Sequence, residues 1–378
     1  MTSPKLRFKE FDGDFSKKTI KDIAQIYVGR DLVEDAYSPI KTEQHVSPIY
    51  SNSVDNEGLY GYYNFEEFNF LDDALTVVGR GAGLGKAFYR QGGFGTIGRL
   101  LCLAPKDKSF HPKYLSDYIN DKLVIHNESG GIPQLPRSSL EGYEVTLPEY
   151  EEQTKIASFL SAVDEKINQL TKKHELLSQY KQGMMQKLFS QQIRFKADDG
   201  SEFGEWQETT LGEVVKFSNS KRIPLSEGER QKRQGDYRYY GASGVIDYVD
   251  DYLFDGEYIL IGEDGANILT RSSPLAFIVE GQFWVNNHAH IFQSKQGNNL
   301  FLATYLESLN YEKFNSGTAQ PKLNLENLKK VSVINPCLEE QNKIANFLSA
   351  IDQKIEVVAQ QIEQAKQWKR GLLQQMFV

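Results

Sequence analysis

Two histidines one residue apart, His288 and His290 in FWVNNHAHIF, follow a pair of amides, Asn286 and Asn287. Strand alternation puts both imidazoles and Asn286 on one face. A zinc site would ask for two further ligands, and the chain's two cysteines, Cys102 and Cys337, supply no plausible pair. What remains is a polar network in a core, or the reading of base edges through Asn287, His288 or His290, since amides and imidazoles match purine donor and acceptor patterns. Six scattered histidines give no Ser-His-Asp grouping.

Two glycine-rich runs resemble nucleotide loops in letters only. GFGTIG (Gly93–Gly98) is followed by the strand-like RLLCLA where a dinucleotide fold requires a helix, and no acidic ribose partner follows at the needed distance. In GRGAGLGKA (Gly79–Ala87), Arg80 occupies the place of the first phosphate-loop glycine and Ala87 replaces the magnesium-binding hydroxyl. This run reads instead as a turn rich in backbone amides and basic groups, suited to a DNA phosphate. Asn335-Pro336 is half of the loop with which adenine methyltransferases grip a flipped base, and it opens a helix.

The net charge of −8 alone argues against a nucleic-acid partner, but its distribution does not. Residues 42–79 lack Lys and Arg and include Asp55, Glu57, Glu66, Glu67, Asp72 and Asp73. The sign then reverses through Arg80, Lys86, Arg90, Arg99, Lys106, Lys108 and Lys113. Later, Lys216, Lys221, Arg222, Arg230, Lys232, Arg233 and Arg238 precede an acidic stretch from Asp247 to Asp264. One basic face in each half is the expectation; ordinary solvated surface is the bland alternative.

The elements that must carry these groups are written twice. Pro148–Ile167 matches Pro336–Ile355 at 14 of 20 positions, at an offset of 188 residues, and YKQGMMQKLF continues opposite WKRGLLQQMF. Looser echoes pair KKTIKDIAQI with ETTLGEVVKF, and SGGIPQLPRSSLEGYEV with SGTAQPKLNLENLKKVSV. In the strong repeat, Ile156, Leu160, Val163, Ile167 and Leu170, and likewise Ile344, Leu348, Ile351, Ile355 and Val358, recur in steps of four and three. These are coiled-coil seams. Each follows a proline and carries acids on its first turn, Glu151–Glu152 and Glu339–Glu340, where the helix dipole favours them. At about 1.5 Å per residue, roughly 40 residues make a rod near 60 Å long. Gly183 and Gly371 are candidate breaks. A duplicated seam predicts two antiparallel rods packed on each other in a pseudo-two-fold repeat, with recruitment of other chains as the alternative. Lys181 and Lys369 sit on both seams, where they either fix register or face a partner.

Between the rods, LTVVGR, RLLCLA, YILIG and PLAFIVEG read as buried strands, giving two mixed α/β (α+β) domains in tandem. The expected division is a first domain over 1–148, a helix over 149–190, a second domain over 191–336 and a second helix over 337–378. A chain of 378 residues, 40% hydrophobic, has material for two cores. With two cysteines, no apolar leader in MTSPKLRFKEFDGD and no membrane-length apolar run, it is expected to be soluble and cytoplasmic.

The EEQxKIAxFLSAxDxKI signature opening each heptad helix, the KxG motif near its end, SGTAQPKLNLENLKKVSV and WVNNHAHIF together resemble the specificity subunit of type I restriction-modification systems. The resemblance spans the chain. It implies a non-catalytic DNA reader with two target-recognition domains, each binding half of a split double-stranded target. It also implies helices that fix half-site separation and dock two methylation subunits, which two restriction subunits join. S-adenosylmethionine, ATP and Mg2+ would belong to those partners, with no cofactor, metal or membrane contact for this chain. The expected DNA-contacting residues are Arg80, Lys86, Arg90, Arg99, Lys221, Arg222, Lys232, Arg233, Arg238, Asn287, His288, His290, Lys322 and Asn324; Lys181 and Lys369 are the expected partner contacts. Because SGGIPQLPRS stands where the other copy has SGTAQPKLN, contacts through Lys322 or Asn324 do not transfer to the first domain. A stand-alone methyltransferase or nuclease, or a coiled-coil scaffold that does not bind DNA, are the competing classes.

Overall fold

A computed structural model describes residues 4–71, 73–127, 130–317 and 320–378. Asp72 of the acidic stretch, Ser129 of SGGIPQLPRS, and Thr318 and Ala319 of SGTAQPKLN lie outside the described residues. By compactness the chain forms two units, Met1–Lys172 with Ala359–Val378, and Lys173–Val358. The cuts fall inside the long helices, so each unit owns one globular part and a segment of both rods. The four-part division at 148, 190 and 336 is thus a proposal about function, separate from compactness.

Each globular part opens on a strand, a four-residue helix and a second strand: Ser16–Thr19, Ile20–Ile23 and Ala24–Val28 in the first; Gln207–Thr210, Leu211–Val214 and Val215–Phe217 in the second. The loose sequence echo is therefore structural. A threonine sets each short helix, its backbone N–H donating to an acid three residues on: Thr19 to Asp22 at 3.0 Å and Thr210 to Glu213 at 3.3 Å. In return the threonine side chain caps the backbone N–H of that acid, as Thr19 does for Asp22 at 3.3 Å, so both donors are satisfied reciprocally.

Among the described residues, the first unit holds a sheet in the order Ala24–Val28, Leu101–Pro105, Ala74–Val77, Ala87–Arg90, and a second in the order Tyr37–Ser38, Leu59–Tyr63, Ser47–Tyr50, Gly95–Thr96. The second unit repeats the first of these as Val215–Phe217, Ala289–Ser294, Tyr258–Gly262, Ala276–Val279; its other sheet, Gly244–Val249, Tyr237–Gly241, Gln282–Val285, Phe254–Asp255, shares an antiparallel pair followed by a parallel one but adds its fourth strand on the opposite edge. The strand YILIG shows why its apolar run is unbroken. Ile259 and Ile261 enter one core and Leu260 the other, because both faces of its sheet are covered. In the first unit, Leu101 and Leu103 likewise face the helix Pro112–Lys122 while Cys102 faces the aromatic cluster of Phe68, Phe70 and Phe94.

The long helices run over Tyr150–Phe189 and Leu338–Met376, and both continue through their glycines, Gly183 and Gly371. In the first unit Ile156, Leu160 and Val163, from the start of one helix, share a core with Leu372, Met376 and Phe377 from the end of the other. In the second, Met184 and Leu188 meet Ile344, Leu348 and Ile351. Start against end in each unit is antiparallel packing. Among the described residues no helix is long and apolar enough to cross a membrane.

The dipole account of the first-turn acids is incomplete. Glu152 and Glu340 are fully buried and each accepts two bonds from one arginine: Arg7 at 2.8 and 2.7 Å, Arg194 at 3.0 and 2.7 Å. The segment preceding each globular part thus loops back and clamps the base of the rod that follows it.

Candidate nucleic-acid interface

In the first unit three strand ends carry the same tripeptide pattern, Val28-Gly29-Arg30, Val78-Gly79-Arg80 and Ile97-Gly98-Arg99. The glycines let backbones touch. A Cβ at Gly29 would lie 3.0 Å from the Ile97 oxygen and one at Gly79 would lie 3.1 Å from the Arg99 oxygen. Cross-bonds close the arrangement, Gly29 N–H to Leu100 O at 2.7 Å and Arg99 N–H to Gly29 O at 3.0 Å. Arg80, Arg99, Gln134 and Arg137 line one concavity of about 220 Å3, and the exposed Arg30 is joined to the third tripeptide by a backbone bridge to Ile97. Among the described residues Arg30, Arg80 and Arg99 form no ion pair, whereas Arg137 is engaged by Glu141 at 2.7 Å. Two unneutralised guanidinium groups in one concavity, those of Arg80 and Arg99, make an anion-attracting site. Arg30 escaped the sequence reading, and the thrice-written V/I-G-R pattern is the signal that could have found it.

Two expected contacts in this unit fall elsewhere. Lys86 is exposed on the turn before Ala87–Arg90, away from that concavity. Arg90 is a correction: its side chain is 2% exposed, lies 3.5 Å over the Tyr50 ring, and donates to Thr76 at 2.9 Å and to the Glu57 carbonyl. A guanidinium so enclosed braces the interior and cannot reach a phosphate. The GRGAGLGKA run is a turn between two antiparallel strands, which disposes of the phosphate-loop reading.

The second unit corrects the expectation of a segregated basic face. Folding brings its basic and acidic stretches together: Arg230 pairs with Asp247 at 2.9 Å, Arg233 with Asp250 at 2.8 Å, and Arg222 with Glu263 at 2.9 Å. Arg222 also donates to the Ala289 carbonyl at 2.6 Å, so it anchors the site's floor. Arg233 sits over Trp284, and Arg238 donates to the Glu280 carbonyl at 2.5 Å beside Tyr240. Lys221 and Lys232 are exposed and, among the described residues, form no ion pair.

The histidines separate. His290, 1% exposed, receives a bond from the Asn219 amide on Nδ1 at 2.8 Å and donates from Nε2 to the Leu323 carbonyl at 2.7 Å. Burial holds it below the usual imidazole pKa despite Glu263 at 3.6 Å, so it is neutral. It is a framework residue, and its expected base contact is corrected. His288 precedes the strand, is half exposed, and pairs through Nδ1 with Asp264 at 2.9 Å. Asn287 is exposed beside it. Lys322 lies 3.6 Å from Glu263, while Asn324 is occupied as the N-cap of Leu325–Lys329, accepting from Asn327 N–H at 2.8 Å.

On the rods, Lys181 pairs with Asp352 and Lys369 with Asp164, each at 2.5 Å. Under the 188-residue offset these are the same pair. Both lysines therefore join one helix to the other, which is the register-fixing alternative. Asp164 is shared with Lys113, which also holds Asp117 at 2.7 Å.

A family model described as the type I restriction modification DNA specificity domain matches residues 13–178 and again 204–367. The chain belongs to that family. A type I restriction enzyme specificity subunit of Methanocaldococcus jannaschii is 26% identical over 372 residues, 84% of this chain and 86% of that one. A Haemophilus influenzae protein provisionally named as such a subunit is 37% identical over 154 residues; the match spans 40% of this chain and 38% of that relative's length. Among solved structures, the S subunit of a type I restriction-modification system from M. genitalium superposes with a TM-score of 0.71 at 18% identity, over 100% of this chain and 99% of that one. That likeness is one of fold, and it matches two mixed α/β specificity domains joined to long helices.

Proposed function

We propose that this chain is the DNA-reading, non-catalytic subunit of a cytoplasmic type I restriction-modification complex, each globular part binding one half of a divided double-stranded target. The observation that carries this is a single site built twice with different side chains. In both units the segment before the short helix at Arg137 or Leu325 bridges the strand end after the third sheet strand: Arg80 with Gln134, Asp264 with Lys322. Conserved frames with exchanged side chains suit two readers of different half-sites. Basic groups would set register on phosphates, and a few polar groups would read bases.

The antiparallel helices would fix the separation of the half-sites and dock two methylation subunits, which restriction subunits join. S-adenosylmethionine, ATP and Mg2+ would be bound by those partners. The near-identity of the two helix starts supports this, since two copies of one partner need two copies of one surface. Sequencing methylated adenines in cells with and without the gene tests the reading. A divided motif lost with the gene is expected; an unchanged methylation pattern would refute it.

A further inference from the structure

The two sites correspond residue by residue, and at two of the corresponding positions cationic donors in one stand where the other has an acid and an imidazole. Leu135 N–H donates to Gly79 O at 2.9 Å and Leu323 N–H to Glu263 O at 2.7 Å; Gly81 N–H donates to Pro133 O and Gly265 N–H to Pro321 O, both at 3.0 Å. These bonds equate Arg80 with Asp264 and Gln134 with Lys322. The same alignment equates Val77 with Ile261, whose strand partners are Leu101 and His290. Two residues before each partner stand Arg99 and His288. Thus Arg80 and Arg99 in one unit occupy the places of Asp264 and His288 in the other.

The chemistry of the two pairs is opposite. Arg80 and Arg99 offer only donors, are exposed, and among the described residues have no ion-pair partner. Asp264 and His288 are joined through Nδ1 at 2.9 Å, leaving carboxylate lone pairs and His288 Nε2 available. A carboxylate gains nothing beside phosphates, which repel it. Its favourable place on DNA is opposite an exocyclic amine, whereas paired guanidinium donors match the O6 and N7 acceptors of guanine.

We infer that these are base-reading pairs of opposite polarity: Arg80 and Arg99 select a guanine in one half-site, and Asp264 with His288 selects an adenine or cytosine amine in the other. This rests on the two-reader function above. It adds which residues discriminate and which base edge each takes.

The test uses the full chain in its assembled methylation complex, carrying Arg80→Gln, Arg99→Gln, Asp264→Asn or His288→Gln, with circular dichroism confirming an unaltered fold. Methylated-motif sequencing and competition with single-mismatch duplexes are the readouts. Asp264→Asn and His288→Gln are expected to relax one A or C position in one half-site, lowering discrimination there about tenfold. Arg80→Gln and Arg99→Gln should relax a guanine in the other half-site. Four variants that retain every position of a divided native motif would overturn this assignment alone. So would a uniform affinity loss from Arg80→Gln and Arg99→Gln with a shallower salt dependence, which marks phosphate contacts. A native chain that directs no divided motif would overturn the two-reader function and this assignment with it.

Discussion

Replacing Arg7 with alanine removes both hydrogen bonds from a carboxylate that has no solvent exposure, Glu152. Breaking a buried ion pair from one side costs about 3–5 kcal/mol, because the remaining charge stays in the interior. Two features lower that figure here. Arg7 is itself 17% exposed, so its departure opens a path for water, and Glu152 lies on the first turn of Tyr150–Phe189, where the dipole contributes up to ~1 kcal/mol. The expected loss is about 2–3 kcal/mol, or roughly 30- to 150-fold in the opening equilibrium. Amide hydrogen exchange by mass spectrometry, over peptides covering 4–15 and the first turns of the helix, reads it directly. Arg194→Ala should act in the same direction but more weakly around Glu340, which keeps the bond it accepts from the Trp206 indole N–H at 2.7 Å. Exchange that accelerates less than about threefold for Arg7→Ala would show that the clamp is not holding the helix base, and the account of the upstream segment would be wrong.

Arg90→Leu should destabilise the first unit through the loss of the Tyr50 stack and the Thr76 bond, whereas Arg80→Ala and Arg99→Ala should leave its melting unchanged and weaken DNA binding by the assembled complex. Thermal melts and binding titrations against salt separate the two classes; normal stability in Arg90→Leu would contradict its interior role. His290 is held below the ordinary 6.5, so as pH falls through that value the unfolded chain takes up a proton that the folded one refuses. Stability of the second unit should then decline on acidification, by up to about 1.4 kcal/mol per pH unit from this group, and less in His290→Gln. Denaturation curves at about pH 7.5 and 5.5 check the sign, and a native protein no less stable at the lower pH would contradict it. Lys369→Met removes one part-exposed cross-helix pair with Asp164 and should cost under about 1 kcal/mol, while leaving methylation-subunit capture intact if the lysine serves register alone. Loss of capture without loss of stability would restore the partner-contact role.

The rods were legible because a heptad pattern is local and long: every step from Ile156 to Leu170 points to one face, and that face is the buried one. YILIG was legible for the complementary reason, an unbroken apolar run that only a strand covered on both faces can use. Long-range pairing escaped. Arg7 meets an acid 145 residues away; the echo of LRFK in IRFK at Ile193–Lys196 marks the arginine as repeated but does not name its partner. Charge segregation along the chain misled in the second unit, where Asp247, Asp250 and Glu263 fold against the arginines that precede them. His288 and His290 looked alike because alternation was applied across a strand start; the strand begins at Ala289, which puts one imidazole outside and one within.

The most direct test of the central claim is to insert one heptad into both long helices and sequence the methylated motif. Seven residues add about 10 Å of rod, near the rise of 3 base pairs. The account predicts unchanged half-sites whose separation grows by about 3 base pairs. An unchanged separation, in a complex that still methylates, would contradict it.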